Sequence, residues 1–243
     1  MFPTKGIVLK TIKYGETSLI AHLFTKDFGL QTYMVKGLRS TKKSSAHATV
    51  LQPSFVLDIV VSRQQNKNFQ QIREMAPDPA FQSVQVDVVK NCIALYAMEL
   101  LALLITEQDS LPDLFDFCYD FLKYLNAEQP ISTALLPLYF SIQAARLSGY
   151  QIGGKYNAET PFLNLAEGCY TPVEATNGPF IEVECAQIFS VINGCGTIND
   201  LRTLSVRAAT RKALLSYFLL FLEWHAPRFR PLKSLPVLSA LLH

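Results

Sequence analysis

From Lys5 to Met75 the apolar positions come in short runs separated by turn residues, a pattern of strands rather than helices. Lys5 to Lys13 and Thr17 to Thr25 are two such runs, joined around Tyr14-Gly15-Glu16. Lys26-Asp27-Phe28-Gly29 reads as a tight turn into Leu30 to Leu38. In Phe55 to Ser62 the alternation is cleanest, with Phe55, Leu57, Ile59 and Val61 on one face and Asp58 and Ser62 on the other. Lys67 to Met75 supplies a fifth run. Five short strands in so short a stretch predict a small barrel of the OB type, with an SH3-like barrel as the competing architecture.

Ala76-Pro77-Asp78-Pro79 breaks regular structure, and beyond it the period changes. Phe81 to Thr106, Leu111 to Leu125 and Thr133 to Ser148 read as helices, with Pro112 and Pro137 near starts, where proline is tolerated. Residues 153–185 lose periodicity and predict an irregular insertion with a short hairpin around Asn177-Gly178. Ala186 to Ile192 predicts a short helix, and Thr203 to Trp224 a longer one, announced by Thr197-Ile198-Asn199-Asp200 with the spacing of a capping box and ended by Pro227 and Pro231. The expected class is α+β: an OB-fold nucleic-acid-binding domain over residues 1–78, then a mainly helical domain over 79–243.

The chain has 243 residues, 49% of them hydrophobic and only 17% charged, enough to bury a large core. Its net charge of +2 hides a partition. Residues 1–75 hold 11 Lys and Arg against 4 Asp and Glu, residues 76–200 hold 4 against 15, and residues 201–243 hold 7 against 1. Two basic ends around an acidic middle point to a polyanionic partner at the ends. The first residues contain no apolar run of signal-peptide length, so export is not expected. The longest apolar run, Cys92 to Ile105, contains Glu99 and is shorter than the ~20 residues of a membrane span. Five cysteines at irregular spacing predict free thiols in a reducing cytoplasm.

Lys36-Gly37-Leu38-Arg39-Ser40-Thr41-Lys42-Lys43-Ser44-Ser45 is the most informative cluster. Cations among small residues at a strand end can follow a phosphate backbone, each neutralised phosphate releasing counterions. Lys36, Arg39, Lys42 and Lys43 are therefore candidate nucleic-acid contacts, and Lys10 and Lys13 extend the same face. Tyr14, Phe28, Tyr33 and Phe69 can stack on exposed bases or serve equally as barrel core; Tyr33 is the ring expected to be exposed. Arg207, Arg211 and Lys212, spaced along the last long helix, form a second candidate patch with Arg202.

No Gly-x-Ser-x-Gly elbow, His-Glu-x-x-His pair or Walker lysine occurs, and the four histidines are scattered, so an enzyme is not expected. Cys169, Cys185 and Cys195 lack the paired spacing of a zinc site, so neither metal nor other cofactor is expected. An OB-fold protein that binds RNA or takes part in translation shares these features, because stacking and phosphate neutralisation serve both polymers.

Lys5-Gly6-Ile7-Val8-Leu9-Lys10, Tyr14-Gly15-Glu16-Thr17, Phe24 to Gly29, Val35-Lys36-Gly37 and Leu51-Gln52-Pro53 resemble, in order and spacing, the amino-terminal barrel of the RecO recombination-mediator family. Arg146-Leu147-Ser148-Gly149-Tyr150 and Arg230-Pro231-Leu232-Lys233-Ser234 are similar to that family's later motifs. The resemblance implies a cytoplasmic, nucleoid-associated, non-catalytic protein that binds single- and double-stranded DNA and anneals single strands. It also implies that, with RecR, the protein helps load RecA onto DNA coated by single-stranded DNA-binding protein. The helical domain would receive that protein's acidic, apolar C-terminal tail, with Arg146 a candidate for its carboxylates. Many members carry two Cys-x-x-Cys pairs that bind zinc; this sequence keeps only Cys169 and Cys185 there and resembles a zinc-free branch, in which packing replaces the metal.

Overall fold

The computed structural model describes residues 1–36, 49–62, 69–81, 84–105, 110–127, 133–176 and 178–242. It divides into two compact units, Met1–Pro130 and Ile131–His243.

The first unit opens with a five-stranded antiparallel sheet: β1 (Phe2–Tyr14), β2 (Ser18–Thr25), β3 (Gly29–Val35), β4 (Val56–Ser62) and β5 (Gln71–Pro77), in the spatial order β3-β2-β1-β4-β5. Gly29 takes a φ of 63°, the left-handed conformation that the Lys26–Gly29 turn needs and that a side chain would strain. The sheet curls until its edges meet. Tyr33 and Gln70 form a parallel bridge, Gln70 donating its amide to the Thr32 carbonyl and accepting from the Met34 amide. This is the closure of an OB-type barrel. Its interior is filled by Val8, Ala21, Leu23, Tyr33, Val35, Leu51, Leu57, Ile59 and Val61.

Two helices complete this unit. In α1 (Val88–Leu104), Asp87 caps the start by accepting from the Lys90 amide at 2.9 Å, and apolar residues are buried nearly all round. In α2 (Pro112–Asn126) the buried Leu114, Phe115, Cys118, Phe121, Leu122 and Leu125 recur at the spacing of one helix face. The buried Lys90 sends its ammonium to the Ala127 carbonyl at the α2 C-terminus, where the helix dipole favours a cation. Phe24 packs on Phe115 with ring centroids 5.6 Å apart, and Lys26 bonds Asp116 at 2.8 Å. Lys5 reaches both Asp58 and Asp78 at 2.7 Å, and the Tyr119 hydroxyl donates to Asp78. The break at Ala76–Pro79 marks the end of β5; these ties are why the compact unit continues to Pro130.

The second unit is built on α3 (Leu136–Leu147), α4 (Val183–Gly194), α5 (Ala208–His225) and a final α6 (Leu235–Leu242), which the sequence pattern did not predict. Phe189 stacks on Phe218, and Phe218 contacts Phe221, in its core. Thr197 and Asp200 do form a reciprocal capping box, but it opens a 3₁₀ helix, Ile198–Thr203; α5 begins later, at Ala208. The insertion holds a small sheet of β6 (Phe162–Asn164), β7 (Cys169–Thr171) and β8 (Phe180–Ile181), ordered β7-β6-β8. The expected hairpin at Asn177-Gly178 is corrected by this order: β7 and β8 do not pair, and the tight turn is Leu165–Gly168, where the Asn164 side chain accepts from the Ala166 and Glu167 amides. Asn177 itself lies outside the described residues.

Packing holds the insertion together. Leu163, Leu165 and Ile181 are wholly buried, Phe162 meets Phe180 edge to face, and the Tyr170 hydroxyl donates to the Ala186 carbonyl. Gly168, at φ 66°, lies so close to α5 that a Cβ would sit 3.0 Å from the Phe221 ring. The His225 ring bonds the Leu165 carbonyl through Nε2 at 2.9 Å and packs on Phe221.

Candidate nucleic-acid interface

Strand register decides which barrel side chains can meet a ligand. Thr11, Ala21 and Tyr33 lie in one row across β1-β2-β3, with Ala21 and Tyr33 in the core. The pleat therefore turns the neighbouring rows outward: Lys10, His22 and Thr32 in one, Ile12, Ile20 and Met34 in the other. Lys10 is exposed, and Ile12 and Tyr14 also stand in solvent, 42% and 53% exposed. His22 shares a hydrogen bond with the Thr32 hydroxyl at 3.2 Å. Burial, then the neighbouring Lys10 charge, holds its imidazole below the ordinary histidine range.

Two expectations need correction. Tyr33 does not expose its ring: it is 1% exposed, because its position on β3 has the inward parity. Lys10 and Lys13 do not share a face. Lys13 pairs with Leu19, which in turn pairs with the core residue Val35, so Lys13 has the inward parity and reaches solvent at the strand end.

Lys36 follows β3 and is exposed. Arg39, Lys42 and Lys43 lie outside the described residues. Lys36 contributes to a groove of about 520 Å³ along the β3–β5 closure, together with Met34, Phe69, Gln71, Arg73 and Met75. Arg73 was not singled out by the sequence reading. Residues in positions 34–36 and 69–75 become neighbours only when the barrel closes, so no local pattern marks them.

In the second unit Arg207 is the N-cap residue of α5, with extended backbone, and pairs with Glu184 at 3.1 Å across a highly exposed surface. Arg211 has a different task from the one expected. Its guanidinium donates to the Val206 carbonyl at 2.5 Å and the Leu242 carbonyl at 3.5 Å, tying the start of α5 to the end of α6. Arg207 and Arg211 therefore do not present one cationic stripe.

Arg146, near the end of α3, donates to the Asn193 carbonyl at 2.5 Å and to its side-chain oxygen at 3.0 Å. These bonds fix the guanidinium in the wall of a cavity of about 680 Å³, which Lys155, Val191, Asp200 and Leu204 also line.

The cysteines of the second unit do not fit zinc. Cys169 donates to the Glu167 carboxylate at 3.8 Å and Cys195 to the Val191 carbonyl at 3.4 Å. Burial first, then nearby carboxylates, pushes the thiols of Cys169, Cys185 and Cys195 up. Among the described residues no group of three or more His, Cys, Asp or Glu is placed to hold a metal ion. Among them, too, no helix is long and apolar enough to cross a membrane.

An OB-type barrel with a cationic and aromatic outer face, joined to helices, is the class of fold that this chain presents. The family described as Recombination protein O N terminal matches residues 1–78, and Recombination protein O C terminal matches residues 85–236. The chain belongs to the RecO family of recombination proteins. It is 28% identical over 240 residues to the DNA repair protein RecO of Christiangramia forsetii, covering 98% of each chain. It is 28% identical to that of Flavobacterium psychrophilum, covering 97% of each, and 25% identical to that of Porphyromonas gingivalis strain W83, covering 98% of each.

Proposed function

We propose that this protein is a non-enzymatic DNA repair and recombination mediator, acting in the cytoplasm on the nucleoid. It binds single- and double-stranded DNA through an OB-fold domain over residues 1–78 and anneals complementary single strands. With RecR it helps load RecA onto DNA coated by single-stranded DNA-binding protein. The observation that carries this reading is family membership along nearly the whole chain. The charge partition and the exposed Lys10, Lys13 and Lys36 at the barrel agree with it.

In this mechanism Lys36, Arg39, Lys42 and Lys43 hold backbone phosphates and leave base edges open for pairing, so that two complementary strands meet on one surface. The cavity beside Arg146 receives the carboxylates of the single-strand binder's tail, with Lys155 as a second cation and Val191 and Leu204 as apolar wall. The chemistry asked of the protein is charge neutralisation and positioning, which needs neither metal nor cofactor.

Annealing of two complementary oligonucleotides coated with the cognate single-strand binder tests the reading. The protein is expected to accelerate annealing, and replacing Lys36, Arg39, Lys42 and Lys43 together by Ala is expected to abolish it with the fold intact. A wild-type protein that anneals nothing, but binds structured RNA, would sink the proposal.

A further inference from the structure

The groove at the β3–β5 closure brings together cations, an aromatic ring, thioethers and a carboxamide. Its charged lining residues, Lys36 and Arg73, are both cations, and both are exposed. On its wall Phe69 remains 38% exposed, although the barrel interior beside it buries Tyr33 almost completely. Met34 and Met75 give the walls polarisable side chains that adapt to a flat guest, and Gln71 supplies a carboxamide that can both donate and accept. At about 520 Å³ the groove falls in the range of small-molecule sites. It is also continuous with the outward face of β1-β2-β3, because Met34 belongs to both.

A planar aromatic guest that carries negative charge on both sides satisfies all of these features together. We propose that this groove takes one unpaired nucleobase of a single strand, stacked on Phe69, while Lys36 and Arg73 hold the phosphates that flank it. An acidic apolar peptide would find the same cations and could cover the same ring. The groove, however, joins the barrel face already carrying Lys10 and Tyr14, along which an extended polyanion continues.

The consequence concerns strand choice. In a duplex the base faces are covered by their neighbours, so only an unpaired base can enter. Pairing with a complementary strand withdraws that base from Phe69, and annealing itself loosens the protein's hold on its product. This inference rests on the reading of the barrel as a nucleic-acid binder.

Fluorescence anisotropy with three probes tests it on the full chain: a labelled single-stranded oligonucleotide, the same length of abasic sugar-phosphate strand, and a duplex. Wild type is expected to prefer the normal strand over the abasic one by about tenfold, the usual worth of one aromatic stack. Phe69→Ala should erase that preference while leaving abasic and duplex binding unchanged, and Phe69→Trp should restore it. Equal affinity of wild type and Phe69→Ala for the normal strand would overturn the groove assignment alone, as would equal losses on all three probes. An acidic apolar peptide whose binding depends on Phe69, with no such dependence for the oligonucleotide, would reassign the groove to a protein partner. Wild type binding none of the three probes would overturn the barrel reading and this inference together.

Discussion

Tyr33 on β3 and Gln70 at the head of β5 face each other across a parallel bridge, and the Gln70 amide donates to the Thr32 carbonyl at 2.9 Å. This contact turns an open sheet into a barrel and at once hides one aromatic ring, Tyr33, while leaving another, Phe69, at the surface. Tyr33→Ala should therefore act on stability: a loss of about 3–5 kcal/mol is expected for emptying a buried aromatic site. Urea denaturation measures it. DNA affinity per folded molecule should be unchanged; a selective loss of affinity in a stable variant would return Tyr33 to the binding face.

Lys36 and Arg211 should separate cleanly, although both were candidate contacts. Lys36→Ala should lower the log-log salt slope of single-strand binding by about 0.7, the contribution of one neutralised phosphate. Arg211→Ala should leave that slope alone and lower the unfolding midpoint, since its guanidinium is spent on the Val206 and Leu242 carbonyls. Titrations at several salt concentrations, beside thermal melts, distinguish the two.

His22 gives the barrel a pH dependence of defined sign. Its folded pKa lies below the ordinary 6.5, so above that value both folded and unfolded chains carry it neutral. As pH falls through 6.5 the unfolded chain takes the proton first, and stability declines until the folded pKa is passed. His22→Gln should remove this part of the decline in urea melts followed from neutral pH downward through 6.5. A phosphate placed beside Lys10 would reverse the local field, so DNA binding should take up a proton at this site and strengthen as pH falls.

Asp78 is nearly buried, and its burial alone would raise its carboxyl pKa; bonds from Lys5, the Ala80 amide and Tyr119 outweigh that and hold it below the usual range. A depressed carboxylate stabilises the fold above its unfolded pKa, and that contribution is lost as pH falls through the folded value. Asp78→Ala should cost about 2 kcal/mol near neutral pH, the scale of a hydrogen bond to a charged group, and little in strong acid. A cost that did not shrink with acidification would show that packing, not charge, explains the loss.

Gly168→Ala tests whether packing does the structural work of the insertion. The substitution meets both the Phe221 ring and an unfavourable positive φ, so a loss of about 2 kcal/mol or more is expected. Adding zinc or a chelator to the wild-type protein should leave its melting temperature in place. A chelator-sensitive melt would show a metal at this site.

Much of the fold was legible because it is written in local periodicity. The alternation at Leu57, Ile59 and Val61 has a period of two, and these three residues do fill the barrel. The buried stripe of α2 repeats at helical spacing and was equally readable. The end of β5 at Pro77 follows from proline's missing amide donor. Where the sequence reading failed, parity or long-range closure was at issue. Lys10 and Lys13 look like one cluster along the chain, but the pleat sends them to opposite sides. The capping box at Thr197 and Asp200 was visible, yet it opens a 3₁₀ turn, since a cap marks where a helix starts and not how long it lasts.

By itself, then, the sequence determined the order of the barrel strands and of the long helices, the basic character of the barrel segment and the family, because each is a property of neighbouring residues or of their order. Tertiary structure alone decided which aromatic ring is covered, which arginines are engaged by backbone carbonyls, and that Lys36, Phe69 and Arg73 share a groove. Those outcomes depend on strand register and on contacts between segments tens of residues apart, and no local pattern encodes the direction in which a side chain will point once the sheet has closed.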